Sequence, residues 1–240
     1  MIPNVYGLIT ENEMRHHASF SSTVTALLGG CNLRCPYCTN NDLLLEQSLP
    51  KPIEFDQIID TISNNDFEWF MISGGEPTCT DILGLLELIS AVKQHSNCKI
   101  AMGTNGSNSK SLLALIDHLN YVVLSLLGSS RAYAGVHGGM VAKANVLKGL
   151  EILFNKINSR ENFDGEVRTL LYPPYINEKD ISIIGEFFEK DKLWVFQQFN
   201  PTNNMLDIEQ DEVKPFEEKE IEKIVSVARK YTDRVEVIHV

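Results

Sequence analysis

The chain has 240 residues and carries 32 Asp or Glu against 21 Lys or Arg, a formal net charge of −11 at pH 7. That balance excludes the unspecific grip on nucleic acid that clustered cations provide. A hydrophobic fraction of 43% with 22% charged residues reads as a globular chain able to bury a core without disulfide staples.

Taken in chain order, residues 1–17 (MIPNVYGLITENEMRHH) lack the basic start and apolar middle of a signal peptide, and His16 and His17 are expected on the surface. The first predicted strand is TVTALL, 23–28, and GGCNLRCPYCTNND, 29–42, follows it directly. EWFMIS, 68–73, is the second strand and runs into SGGEPT, 73–78. Ile82, Leu85, Leu86, Ile89 and Val92 then share one helical face, with Thr80 or Asp81 as N-cap. KIAMG (99–103), YVVLSL (121–126) and EVRTLLY (166–172) supply three more strands. A helix containing Ile181, Ile184, Phe187 and Phe188 starts near Asn177, and LWVFQQF, 193–199, is the sixth strand. The acidic run 207–223 reads as a solvated loop and helix face. Ile221, Ile224, Val225 and Ala228 form a helix with Pro215 expected in its first turn, and VEVIHV, 235–240, is the seventh strand. No stretch approaches the roughly 18 apolar residues of a membrane span, so a cytoplasmic protein with no membrane partner is expected.

Strands alternating with helices pair in parallel, because each crossover lays its helix back on the sheet. The pattern fits an open doubly wound sheet or a partial βα barrel, and both place ligands at the carboxyl ends of the strands. Cys31, Cys35 and Cys38 stand at such an end. Five cysteines, three of them within eight positions, read as metal or redox chemistry. Structural zinc wants four closed ligands, often as paired C-x2-C hooks. One uneven triplet instead suits a [4Fe–4S] cluster with one iron left open. Zinc with Cys79 as fourth ligand is one alternative, and a non-catalytic iron–sulfur or zinc binding module is another. Cys98 is expected in the core.

The CxxxCxxC spacing with Tyr37 before the last cysteine resembles the radical S-adenosylmethionine (AdoMet) superfamily, and Gly74, Gly75 and Glu76 match its GGE motif. The resemblance implies a partial (β/α)6 barrel over one domain, 21–240, behind an N-terminal extension, 1–20. It implies a [4Fe–4S] cluster on Cys31, Cys35 and Cys38, and AdoMet bound at the open iron. One electron, from a flavodoxin or ferredoxin, then yields a 5′-deoxyadenosyl radical that abstracts hydrogen. Glu76 would face the AdoMet ammonium. TNG (104–106), EVRTLLYP (166–173) and QQFNP (197–201) look closest to activating enzymes of glycyl radical proteins, which implies a protein substrate. The familiar DTNG reads Gly103-Thr104-Asn105-Gly106 here, Asp-x-Lys reads Ser125-Leu126-Leu127, and CPYCHN has Thr39 for His. These departures keep a peptide, small-molecule or nucleobase substrate in view. Arg168 is expected to replace the missing lysine, and Asn105, Ser125, Gln198 and Asn200 to contact cofactor or substrate. GVHGG, 135–139, reads as a loop near the opening, with His137 a weaker contact.

Overall fold

The structure, a computed structural model, describes residues 2–10, 22–44, 49–202, 205–207 and 212–239. His16, His17, half of the 1–20 extension and part of the acidic run 207–223 lie outside the described residues. Among these residues eight strands form one sheet in sequential order: β1 (Val5–Thr10), β2 (Thr23–Leu28), β3 (Trp69–Gly74), β4 (Lys99–Thr104), β5 (Tyr121–Ser125), β6 (Asp164–Leu171), β7 (Leu193–Gln198) and β8 (Arg234–Ile238). β1 runs antiparallel to β2, and every later pair is parallel. The sheet does not close on itself, so the architecture is a partial barrel.

All seven strands expected from the apolar runs are present. β1 is an addition, and it brings residues that the sequence set apart as an extension into the sheet edge. Among the described residues seven α-helices connect the strands: α1 (Phe55–Ser63), α2 (Ile82–His95), α3 (Ser109–Leu115), α4 (Ser130–Ala134), α5 (Gly139–Ser159), α6 (Glu178–Gly185) and α7 (Glu218–Ala228). Their apolar stripes pack with alternate strand residues such as Val24, Phe70, Ile100, Val122, Val167 and Trp194 into the main core. The other sheet face has its own buried cluster of Trp69, Met71, Ala101, Tyr121 and Val123.

Asp81 caps α2 by accepting from the Leu83 amide, and Asn177 starts α6 with a reciprocal capping box to Asp180. Two expectations need correction. α6 stops at Gly185, where an added Cβ would lie 2.3 Å from the Tyr231 ring, and Phe187 and Phe188 fall beyond it. Phe188 instead stacks on Trp194 with ring centroids 4.2 Å apart. Pro215 precedes the N-cap of α7, Glu217, and is not in its first turn.

Candidate active site

β2 ends in Gly29 and Gly30, and Gly30 takes a φ of 84° that turns the chain into the cysteine loop. Arg34 braces that loop from within. Its Nη1 donates to the carbonyls of Cys31 at 2.6 Å and Leu33 at 2.8 Å. The Cys38 amide closes a turn onto the Cys35 carbonyl at 3.0 Å, and the amides of Leu206 and Asp207 donate to the carbonyls of Cys38 and Pro36, each at 3.0 Å. Residues alternate along the first half of the loop. Cys31, Leu33 and Cys35 line a cavity, whereas Asn32 and Arg34 do not.

The β2–β3 register pairs Leu28 with Gly74, which sets the GGE turn beside the cysteine loop. The Gly75 amide donates to Leu28 O at 2.8 Å, and the Glu76 amide donates to Gly30 O at 2.7 Å. A Cβ on Gly75 would lie 2.0 Å from that same Gly30 oxygen, so only glycine allows the two backbones to meet. Asn40 Nδ2 donates to Gly74 O at 3.1 Å and ties the far end of the cysteine loop to the same turn.

Glu76 is 1% exposed. Its Oε1 accepts from the Thr78 amide at 3.0 Å and from the hydroxyls of Thr78 and Thr104, both at 2.6 Å. Its Oε2 accepts, among the described residues, from the Asn105 amide alone, at 2.6 Å. Burial pushes the carboxyl pKa up, and these donors oppose the shift. The carboxylate therefore stitches the end of β3 to the TNG turn after β4, and one oxygen keeps capacity for a further donor.

A cavity of 480 Å³ opens at the carboxyl ends of the strands. Cys31, Tyr37, Cys38, Gly74, Gly75, Glu76, Asn105, Ser125, Arg168, Gln198 and Asn200 all line it, together with Cys35. The β5–β6 register places Ser125 opposite Arg168. Arg168 donates through Nε at 2.7 Å, and through Nη2, to Glu166 Oε1, while the Tyr121 hydroxyl donates to Glu166 Oε2 at 3.0 Å. The guanidinium thus meets the cavity already paired with a buried carboxylate. Gln198 Oε1 lies 3.1 Å from His239 Nδ1.

Met71, Val123 and Thr202 line the cavity with no sequence signal for a place in the site, whereas Leu126, Leu127 and Phe199 fall within the Asp-x-Lys and QQFNP landmarks. Tyr37 is walled in by Tyr172 and Tyr175, at centroid distances of 4.8 and 6.1 Å, and Phe199 continues the cluster. The repeated aromatics of YPPY, 172–175, were the available clue. Three residues fall outside the cavity lining. Cys79 is exposed, Cys98 is buried with Sγ donating to Phe67 O at 3.2 Å, and His137 is exposed. The GVHGG backbone does not border the opening either. It lies along the cysteine loop, where the Arg34 amide donates to His137 O at 3.2 Å.

Burial pushes the Cys31 and Cys35 thiols up to about 12 and raises Cys38, and for Cys31 and Cys35 the neighbouring thiols add to the shift. Thiols in this setting become ligands only against a strongly cationic group, which an iron–sulfur cluster supplies. Three half-buried sulfurs bordering one cavity beside an open space fit a cluster with one free iron. Among the described residues, no three His, Cys, Asp or Glu side chains form a group that would hold a single metal ion.

A family model described as the radical SAM superfamily matches residues 26–187. Two proteins of Methanocaldococcus jannaschii, each named "Putative glycyl-radical enzyme activating enzyme", resemble the chain. One is 26% identical over 220 residues, covering 89% of this chain and 88% of the relative. The other is 27% identical over 222 residues, covering 91% and 82%. Among solved structures, native anSMEcpe with bound AdoMet matches with a TM-score of 0.55 at 16% identity over 87% of this chain. The chain spans only 61% of that structure's length, and the likeness is one of fold.

Proposed function

Because the chain belongs to the radical SAM superfamily, whose [4Fe–4S] cluster and S-adenosylmethionine are its cofactors, we propose that it activates a partner protein by abstracting hydrogen from a glycine. When bound, the cluster and AdoMet together supply a one-electron cleavage that delivers a 5′-deoxyadenosyl radical. The observation that carries the reading is the direct backbone join between the cysteine loop and the GGE turn at Gly30 O. Sulfur ligands and a polar strand end then serve one cavity.

Each of the expected site residues has a definite task in this reading. Cys31, Cys35 and Cys38 hold the cluster, and the ring of Tyr37 shields it from water within the tyrosine cluster. The backbone of Gly74 and Gly75 and the spare acceptor on Glu76 Oε2 receive the AdoMet ammonium. Arg168 and Ser125, adjacent across β5 and β6, receive its carboxylate. Asn105 and Gln198 orient the ribose, and Asn200 stands towards the substrate. Glycine as the target is supported by the names of the two M. jannaschii relatives and by their coverage of most of the chain.

Anaerobic co-expression with candidate glycyl radical proteins, followed by EPR spectroscopy, tests the substrate. A doublet from a glycine-centred radical on the partner is expected. Turnover of a small molecule with no protein radical in any partner contradicts the activase reading and leaves the superfamily chemistry intact.

A further inference from the structure

From Asp117 to Glu151 the sequence contains no intervening Asp or Glu, although the whole chain has 32. The gap spans α4 and the first half of α5, and its cations are Arg131, Lys143 and Lys148. Arg131 is committed, because its Nη2 donates to Asp180 Oδ2 at 2.6 Å. Lys143 and Lys148 have no ion pair among the described residues. The outward side of α5 carries Met140 at 60% exposure, Val141 at 74% and Leu147 at 41%. A surface helix normally turns charged residues outward at such positions. An otherwise acidic molecule therefore presents one face that is apolar and cationic.

This face is joined to the cysteine loop. Gly138, the residue before α5, has φ 81°, and a Cβ there would lie 2.2 Å from Asn32 O. The neighbouring His137 carbonyl takes the Arg34 amide. The start of α5 thus rests on the two loop residues that point away from the cavity, between cysteines that line it. No residue from 128 to 167 lines the cavity.

We propose that the exposed face at the start of α5 is the docking site of an acidic one-electron carrier, a partner for the site read above as a radical SAM centre. A substrate protein must reach into the cavity, whereas a carrier must approach the cysteines while AdoMet and substrate fill it. The face behind the loop meets the second requirement and not the first. One electron leaves the carrier, which departs oxidised by one unit, and enters the group held by Cys31, Cys35 and Cys38. Redox encounters use small, transient contacts steered by charge, and an apolar patch flanked by Lys143 and Lys148 suits an acidic partner. Repulsion elsewhere on the −11 surface directs that partner to this face.

The test uses the reconstituted enzyme, an acidic flavodoxin and an acidic ferredoxin as probes, and the variants Lys143→Glu/Lys148→Glu and Val141→Glu. Binding is read by calorimetry across a salt series, and 5′-deoxyadenosine formation is driven in parallel by the carrier or by dithionite. At least one carrier is expected to bind the parent enzyme with an affinity that falls as salt rises. The lysine pair variant should lose binding at least tenfold and flatten the salt dependence, and both variants should slow carrier-driven turnover at least tenfold while dithionite-driven turnover stays at the parent level. Absence of binding by either carrier, or binding indifferent to both variants, overturns the proposal. So does a change confined to self-association in sedimentation or to capture of a glycyl radical protein. Failure of the dithionite reaction in the parent enzyme counts against the radical SAM reading instead, and the calorimetric result stands apart from it.

Discussion

Gly75 shows how little room the site leaves for change. Its Cα faces Gly30 O so closely that any side chain must separate the GGE turn from the cysteine loop. Gly75→Ala is expected to keep the fold, at a cost of about 1–3 kcal/mol for the forced overpacking, and to weaken AdoMet binding at least tenfold with the cluster retained. Equilibrium binding to the reconstituted protein, with iron content and thermal melting as controls, checks this. Parent-level affinity would mean that the join at Gly30 does not shape the AdoMet site. Glu76 illustrates a different point. Its residue type and position were legible from SGGEPT, which also contains Thr78, the source of two of its donors, but the Thr104 hydroxyl and the Asn105 amide were not, because they come from a turn one strand further on. Arg168 was likewise legible as a cavity residue. Its partner Glu166 sits two residues away, where the side chains of a strand return to the same face. No feature of that local sequence says whether the two will pair or diverge.

At the scale of elements, Asp180 does more than begin a helix. It caps α6 by accepting from the Asn177 amide at 3.1 Å, and it also takes the Ser129 hydroxyl and Arg131 Nη2 from α4 and the residue before it. The side chain is buried, so removing it leaves the Ser129 hydroxyl without its acceptor and Arg131 held, among the described residues, by the Pro174 carbonyl alone. Asp180→Ala is expected to destabilise the protein by about 2–3 kcal/mol, measured as a shift in the denaturant midpoint at unchanged slope. A loss below half that value would mean that α4 and α6 are held together by apolar packing alone. The capping half of this arrangement was readable from Asn177 and the helical stripe after it. The link to α4 was not, since it joins residues about fifty positions apart in the chain. The same limit explains Phe188. Its spacing matched the stripe of α6, but its stacking on Trp194 in β7 took precedence over helical continuation.

At the scale of the whole molecule, the sheet was legible because β2, β3, β4, β5 and β7 are mostly apolar runs bounded by polar turns, as strands covered by helices must be, while β6 and β8 kept the alternation of branched and polar residues. β1 escaped notice because VYGLIT is interrupted by Gly7 and most of its residues are only half-buried, so it lacks the signature of an interior strand. The cysteine triplet and GGE turn were legible as motifs, and parallel register then carried both to one rim. The aromatic wall around Tyr37 and the face behind the cysteine loop arise only when distant segments meet. The most direct measurement is anaerobic: load the protein with iron and sulfide, reduce it with dithionite, add AdoMet and quantify 5′-deoxyadenosine for the parent chain and for Cys31→Ala, Cys35→Ala and Cys38→Ala. The parent should form the nucleoside, and each variant should lose both the cluster absorption and the product. A parent protein with an intact cluster that forms none, or a cysteine variant that forms as much as the parent, would contradict the assignment of these three thiols.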